Sequence, residues 1–309
     1  MTLQQLRYAV TVAEHKSINM AANSLFITQP SLSGAIKELE NELKLQIFTR
    51  SSKGISTTPE GDEFLGYARQ MLEYYNLIED KYISSEPAKK IFSVSSQHYS
   101  FAVEAFIKIV KEFGMREYEF AMHETKTHEI IQNVKLLKSE VGVLYLNDFN
   151  RMSMTKIFRR ESLEFTPLFD CGIYVFLAEV NPLSGEDKLS LEQLADYPCI
   201  SFEQGDKNSF YFAEEVLSTL DYKQIIKVDD RSTALNFMKG LNAYTLCSGI
   251  LCETLNGVGF KAIPLDTDDT MTIGYLKHHN MPLSEMAQLY VEELKKYSDK
   301  VYKGSKSAK

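Results

Sequence analysis

The chain has 309 residues, of which 44% are hydrophobic and 25% charged, and its formal net charge at pH 7 is −8. This composition is typical of a soluble globular protein with two or three compact units. No apolar run in the sequence approaches the ~20 residues that a membrane-spanning helix needs, and the amphipathic first residues do not resemble a signal peptide. We therefore expect a cytoplasmic protein that does not contact a membrane.

The charge is distributed unevenly along the chain. Residues 1–58 contain six Lys or Arg and four acidic residues, so this segment carries +2 and the rest of the chain −10. A basic segment in an acidic chain is compatible with nucleic-acid binding, but a charge of +2 is too small to identify it. The function of this segment therefore has to be inferred from its sequence motif.

The first 59 residues predict a helix, a second helix, a short turn, a third helix and a β-hairpin. Apolar spacing predicts helices over 2–15, 18–25 and 27–43, and Ser17 can cap the second. The hairpin turns around Lys53–Gly54. This order of elements is that of a winged helix-turn-helix unit.

The third helix has one apolar stripe and one face without bulk. Thr28 can cap this helix, and Pro30 suits its first turn. The stripe consists of Leu32, Ile36, Leu39 and Leu43, and the opposite face of Gln29, Ser31, Ser33, Gly34 and Lys37. A plain solvent-facing surface would also be polar, so this face predicts either ordinary surface or a surface that binds something large.

A long helix over 60–84 follows, and its apolar residues alternate at spacings of four and three. They are Phe64, Ala68, Met71, Tyr75, Ile78 and Tyr82. Such a seam either packs inside the chain or pairs with the same helix of a second copy. We favour dimerisation, because the break at 84–90 leaves the seam without a nearby partner segment.

From residue 91 onward strands alternate with helices, which predicts an α/β domain with parallel sheets. We expect two lobes joined by crossing strands, with helices that include 208–219 and with 283–297 closing the first lobe. The predicted domains are 1–59, a linker and dimerisation helix with its hinge over 60–90, and 91–303. Within the last, lobe I spans 91–163 and 267–303, and lobe II spans 164–266.

Polar clusters follow several of the predicted strands, where the two lobes would enclose a cleft. They are "SSQHYSF" (95–101), "ETKTHEI" (124–130) and "CISFEQGDKNSF" (199–210). Hydroxyls and helix N-termini suit an anionic ligand. A ligand bound in this cleft would contact Ser95, Ser96, Gln97, Thr125, Thr127 and Phe202. Ser95 and Thr127 could instead only cap helices, and while Lys126 and His98 favour an anion, Glu203 and Asp206 oppose one.

The sequence contains neither a metal-ligand pattern nor a catalytic motif. The four cysteines are unevenly spaced and the six histidines form no cluster, so we expect no metal, no cofactor, no enzymatic activity and buried, unreactive thiols. A transport-type solute-binding protein would share the cleft, but it would need an export signal and would not need residues 1–60. A protein that senses the oxidation of one of these thiols remains open.

Residues 6–61 closely resemble the DNA-binding domain of the LysR-type transcriptional regulators. The matching positions are Ala21–Ala22, Leu25, Gln29 to Ser33, Ile36, Leu39–Glu40, Leu45, Phe48 and Arg50. Thr28 stands where the family usually has Ser, and Gly34 where a long polar side chain is common. The resemblance implies a winged helix-turn-helix, a linker helix and a two-lobed α/β effector domain of the periplasmic-binding-protein type.

The resemblance also implies partners and contacts. The partners are double-stranded DNA with a dyad-symmetric promoter site, a small-molecule effector of unknown identity, RNA polymerase and further copies of the chain in a dimer or homotetramer. The implied DNA-binding residues are Thr28, Gln29, Pro30, Ser31, Ser33, Lys37, Arg50 and Lys53. The third helix would then enter the major groove, with Gln29 reading an adenine and the basic residues neutralising phosphates.

Overall fold

A computed structural model describes residues 1–51, 54–82, 90–114, 117–205 and 209–298. The chain divides into two compact units, residues 1–89 and residues 90–309. Among the described residues, no helix is long and apolar enough to cross a membrane.

The first unit is a winged helix-turn-helix, as predicted. Its elements are α1 (Leu3–His15), α2 (Ile18–Ser24), α3 (Gln29–Leu43), β1 (Phe48–Ser51), β2 (Gly54–Thr57) and α4 (Pro59–Tyr82). The side chains of Thr2, Ser17 and Thr28 each accept a backbone N–H at the start of their helix. The caps thus satisfy N–H groups that have no partner within the helix.

The core of this unit forms where α3 packs against α1 and α2. Leu32, Ile36 and Leu39 are buried together with Ala9 and Ala21. The small alanines let the helices approach closely. The apolar stripe of α3 therefore points inward, and its polar face is left at the surface.

Some of the apolar residues predicted to form a seam on α4 are buried in the core, and others are exposed. Ala68 is buried in this unit, as is Leu65, whereas the side chains of Met71 and Ile78 are 47% and 55% exposed. The helix packs on α1. The side chain of Tyr82 lies outside the described residues.

The second unit contains two five-stranded sheets. The first has the order β4-β3-β5-β12-β6, with strands β3 (Lys90–Ser96), β4 (Tyr118–Glu124), β5 (Val141–Leu146), β6 (Leu163–Gly172) and β12 (Thr270–His278). Its helices are α5 (Ser100–Phe113), α6 (Thr127–Lys135), α7 (Arg151–Arg160) and α11 (Glu285–Lys295). Strand β3 runs parallel to β4 and β5, while β12 is antiparallel to β5 and β6.

The second sheet has the order β11-β7-β10-β8-β9. Its strands are β7 (Tyr174–Ala178), β8 (Cys199–Phe202), β9 (Ile225–Val228), β10 (Tyr244–Cys247) and β11 (Phe260–Pro264). The helices are α8 (Leu191–Leu194), α9 (Arg231–Leu241) and α10 (Glu253–Asn256). The chain crosses between the sheets twice, from β6 to β7 and from β11 to β12, so the two lobes predicted from the sequence are present.

Two details of the sequence-based prediction for this unit were wrong. The boundary between the lobes at 163/164 was placed too early, because β6 pairs with β12 along Leu163–Gly172 and belongs to the first sheet. The helix predicted over 208–219 is absent from the described part of that segment, where Phe210–Phe212 forms a single 3₁₀ turn. The Tyr145 hydroxyl donates to the carbonyl oxygens of Ala213 and Glu215 there, so tertiary hydrogen bonds replace helical ones.

Candidate DNA interface and effector cavity

The face of α3 opposite the core is exposed and free of large side chains. Gln29 and Ser31 are exposed, and no atom lies within 4 Å of the position that a Cβ at Gly34 would take. Gln29 Nε2 donates to Ser33 Oγ at 2.8 Å, and the Thr28 and Ser31 hydroxyls lie 2.8 Å apart. This surface can approach the edges of base pairs without rearranging the core.

The remaining predicted DNA contacts lie along the same helix and on the wing. Pro30 and Lys37 are exposed on α3. In the wing β1 pairs antiparallel with β2, and Arg50 lies opposite Ile55. The side chain of Arg50 and the whole of Lys53 lie outside the described residues. Their contacts with DNA therefore stay predictions.

Glu40 fixes the start of the wing relative to α3. Its Oε1 accepts the backbone N–H groups of Ile47 and Phe48, at 2.8 and 3.0 Å. Because Glu40 lies on α3, the hairpin and the exposed helix face are held in one arrangement. An α-helix with a small polar face beside a β-hairpin is the geometry that winged helix-turn-helix proteins present to the major groove and the adjacent backbone.

The second unit contains a cavity of about 700 Å³, open solvent at its mouth included. Lobe I contributes residues 98–101, at the start of α5, and Met271. Lobe II contributes Phe176, Phe202 and residues of α9 that include Arg231 and Met238. The cavity is thus enclosed by both lobes, and most of its wall is apolar.

His98 joins the lobes at the edge of this cavity. Its backbone N–H and its ring Nδ1 both lie within hydrogen-bond distance of Glu214 Oε2, at 3.0 and 2.8 Å. The imidazole also stacks on Phe202, with ring centroids 4.0 Å apart and an interplanar angle of 6°. Both Glu214 and Phe202 belong to lobe II, so this one residue holds the lobes together by a polar and an aromatic contact.

The polar corner beside His98 is filled by side chains of the protein. Thr127 Oγ1 accepts from Gln97 Nε2 at 2.6 Å, and the backbone N–H of Thr127 donates to Gln204 Oε1 of lobe II at 3.0 Å. Gln204 Nε2 in turn donates to Glu214 Oε1 at 3.2 Å. The N–H groups of this corner, which would suit an anionic ligand, are therefore already paired.

Of the six predicted effector contacts, Phe202 lines the cavity and the other five do not. Ser95 Oγ bonds to Ser139 Oγ and accepts from Asn133 within lobe I, and Ser96 Oγ donates to the carbonyl oxygen of Gln97. Thr125 donates to Glu129. Gln97 and Thr127 belong to the polar corner beside His98, where their side chains bond to each other. The ends of β3 and β4 do lie at one edge of the sheet, but the sequence pattern did not show which of their polar groups lobe II would occupy.

Further pairs cross between the lobes. Arg231 donates to Glu124, and Lys126 Nζ lies 3.8 Å from Asp229 Oδ1. Arg231 was not among the predicted residues, although the sequence held a signal for it. It follows the N-cap Asp230 at the start of a helix that comes after a strand, which is the position that the polar clusters of lobe I also occupy.

The cysteines lack the environment of a reactive thiol. Burial raises the pKa of the Cys171, Cys199 and Cys247 thiols to about 12. Cys252 is buried as are Cys171 and Cys199, and none of the four cysteines forms a disulfide. In the part of the chain that the structure describes, no group of three or more His, Cys, Asp or Glu could hold a metal ion.

The two units together define a class of protein, a DNA-binding module joined to a two-lobed ligand-binding module. The family model "Bacterial regulatory helix-turn-helix protein, lysR family" matches residues 3–62, and "LysR substrate binding domain" matches residues 100–299. The chain belongs to the LysR family of bacterial transcriptional regulators. It is a DNA-binding transcriptional regulator with an effector-binding domain, as the sequence predicted.

Curated relatives and solved structures agree with this assignment. The chain is 24% identical to the HTH-type transcriptional regulator CysL of Bacillus subtilis over 279 residues. This aligned region covers 84% of this chain and 79% of that protein. Over 72 residues, 23% of this chain and 24% of its relative, it is 47% identical to the regulator BenM of Acinetobacter baylyi. A full-length OxyR variant from Pseudomonas aeruginosa has the same fold, with a TM-score of 0.70 at 19% identity over 96% of this chain and 98% of that one.

Proposed function

We propose that this regulator binds its effector in the cavity between the lobes and that binding changes the contacts by which the lobes are closed. The observation that carries the proposal is that Arg231, His98 and Phe202 both line the cavity and contact the other lobe. A ligand that touches these side chains alters the pairs with Glu124 and Glu214. The free energy of binding is thereby coupled to the arrangement of the lobes.

We further propose that the chain acts in the cytoplasm as a dimer or tetramer that binds a dyad-symmetric promoter site and contacts RNA polymerase. The exposed side chains of Met71 and Ile78 support the dimer, because they lie on one face of α4 at a spacing of seven residues. Two copies of α3 would then reach successive half-sites about one helical turn apart. The DNA contacts proposed for each copy are those predicted from the sequence.

The test of the cavity is a thermal-shift screen of the full chain against central metabolites, amino acids and aromatic acids. A ligand at 100 times its dissociation constant adds about 2.7 kcal/mol to the free energy of unfolding, which shifts Tm by several degrees. Ala234→Phe fills the cavity from α9 and should abolish the shift, whereas Leu241→Phe on the exposed end of α9 should not. A shift that survives Ala234→Phe would contradict the cavity as the effector site.

Regulation by thiol oxidation is the alternative, since the relatives of this chain include hydrogen peroxide-inducible genes activators. A peroxide-sensing cysteine needs a thiolate at neutral pH, and the raised pKa of the buried thiols argues against one here. Lack of any effect of peroxide on DNA binding by the full chain would support the effector proposal. An oxidation-dependent change in binding would favour the alternative.

A further inference from the structure

The charged side chains in the cavity wall are each paired with another part of the protein. His98 pairs with Glu214, and Arg231 pairs with Glu124 of the other lobe. Glu215 Oε1 accepts from the backbone N–H of Phe202 at 2.8 Å, and its Oε2 accepts from the Ser201 hydroxyl at 3.0 Å. Burial raises the pKa of Glu215 to about 8, so this carboxyl is mostly neutral at pH 7. A ligand therefore meets a wall with little uncompensated charge.

Two polar atoms in the same wall have no partner. Nε of Arg231 and Oδ1 of Asn256 are buried without a hydrogen bond. Asn256 is 7% exposed, and its Nδ2 donates to Ser100 Oγ at 3.4 Å. Buried polar groups are normally hydrogen-bonded, and leaving one unpaired costs free energy. Neither atom is open to solvent, so a ligand reaches this donor and this acceptor only by displacing the side chains around them.

The remaining residues of the cavity wall are mainly apolar and determine which part of a ligand they can contact favourably. It includes the side chains of Phe101, Phe176, Leu235, Met238, Ile250 and Met271. A ligand gains free energy here by removing apolar surface from water. These residues favour an aromatic ring or a branched or straight hydrocarbon chain.

We propose that the cavity binds an uncharged, mainly apolar molecule whose single polar head accepts a hydrogen bond from Arg231 and donates one to Asn256. A primary carboxamide or a hydroxyl group does both. The proposal rests on the cavity being the effector site, and it departs from the anionic ligand that the strand-end clusters suggested.

A carboxylate satisfies this site less well than an amide of the same shape. It has no proton to donate to Asn256 Oδ1, and the charge of Arg231 is already matched by Glu124. The N–H groups of His98 and Thr127, which would otherwise stabilise an anion, are taken by Glu214 and Gln204. Burying an uncompensated charge costs more than burying a neutral group of the same size.

The experiment compares matched pairs of probes on the full chain at pH 7, namely benzamide with benzoate and hexanamide with hexanoate. Affinity is measured by ligand-observed NMR titration. Each amide should bind at least tenfold more tightly than its carboxylate. Asn256→Leu should weaken amide binding about tenfold, while Asn23→Leu on the exposed side of α2 should leave it unchanged.

The outcomes separate this proposal from the one it rests on. Equal or tighter binding of the carboxylates would overturn the uncharged class and leave the cavity as an effector site. Binding by none of the four probes would overturn the proposed ligand class as well. In that case, a metabolite whose thermal shift is lost in Ala234→Phe would still uphold the effector cavity. Loss of amide binding in Ala234→Phe, together with the preference over carboxylates, would support both.

Discussion

One carboxylate oxygen of Glu214 lies 3.0 Å from the backbone nitrogen and 2.8 Å from the ring Nδ1 of His98, across the boundary between the lobes. The other oxygen accepts from Gln204, which also accepts the N–H of Thr127. Both side chains of the pair are almost fully buried, with 7% and 4% exposure. The protein's own acid thus occupies N–H groups that would suit an anionic ligand, and it links the two lobes.

Glu214→Ala should lower the free energy of unfolding by about 2–4 kcal/mol, because it leaves buried N–H donors of His98 and Gln204 without an acceptor. Urea unfolding of the full chain followed by circular dichroism measures the change. Glu292→Ala removes an exposed acid that pairs with Lys295 and should cost no more than about 0.5 kcal/mol. A loss for Glu214→Ala no larger than this control would contradict its role.

Glu215→Gln should become increasingly stabilising, relative to the unmodified protein, as the pH rises from about 5.5 to 7.5. Burial raises the pKa of Glu215 from 4.5 to about 8, so between these values the native chain binds a proton that the unfolded chain has released. The contribution of Glu215 to stability is therefore complete below pH 4.5 and is lost as the pH rises through about 8. The difference in unfolding free energy between the two proteins then changes with pH at a slope that approaches its theoretical limit of about 1.4 kcal/mol per pH unit.

The measurement is urea unfolding of both proteins at a series of pH values, in which all other titrating groups cancel. Glu186→Gln, at an exposed position, provides the control and should show a flat difference. A pH-independent difference for Glu215→Gln would mean that this carboxyl is ionised in the native protein at neutral pH.

The winged helix-turn-helix was predictable because its determinants are local. Caps such as Thr28 and the stripe Leu32, Ile36 and Leu39 act within one helix, and both lie where the periodicity puts them. The segment around Glu214 was not predictable in this way. Its apolar spacing suits a helix, yet its carbonyl groups and carboxylates are bonded to Tyr145, His98 and Phe202, which are distant in sequence.

The difference between local and long-range determinants also explains why the contacts of the effector site were not predicted. The polar clusters at 95–101 and 124–130 do lie at one edge of the first sheet, as strand order alone requires. Whether their N–H groups are free depends on side chains of the other lobe, such as Gln204, and no local pattern reports that. The lobe boundary was misplaced for a related reason, since β6 joins the first sheet through pairing with β12 much later in the chain.

The four cysteines should react slowly with a disulfide reagent such as DTNB in the native protein at pH 7.5. None of them forms a disulfide, and three are buried. Cys247 is partly exposed, but desolvation of its thiol raises the pKa to about 12. Four rapidly reacting thiols should appear after denaturation in guanidinium chloride. A thiol that reacts within seconds in the native state would revive the oxidation-sensing alternative.

Ile78→Glu should weaken self-association at least tenfold, because it places a charge on the exposed apolar face of α4. Sedimentation velocity of the full chain over a concentration series gives the dissociation constant. Asn76→Glu introduces the same charge at another exposed position of the same helix and should change the constant much less. Equal effects of both variants would indicate that net charge, rather than this face, controls assembly.

Gln29→Ala should relax sequence preference at one base pair by about 1–3 kcal/mol, because its amide is placed to pair with an adenine edge. Gln29 is exposed at the start of α3, and its Nε2 donates to Ser33 Oγ, which orients the amide along the helix face. Selection from a randomised DNA library with both proteins would measure the change position by position.

Lys37→Ala is the matched comparison on the same helix. It should weaken binding to all sequences and reduce the salt dependence by about one phosphate contact. Uniform loss of affinity for Gln29→Ala as well would show that Gln29 contacts the backbone instead of a base.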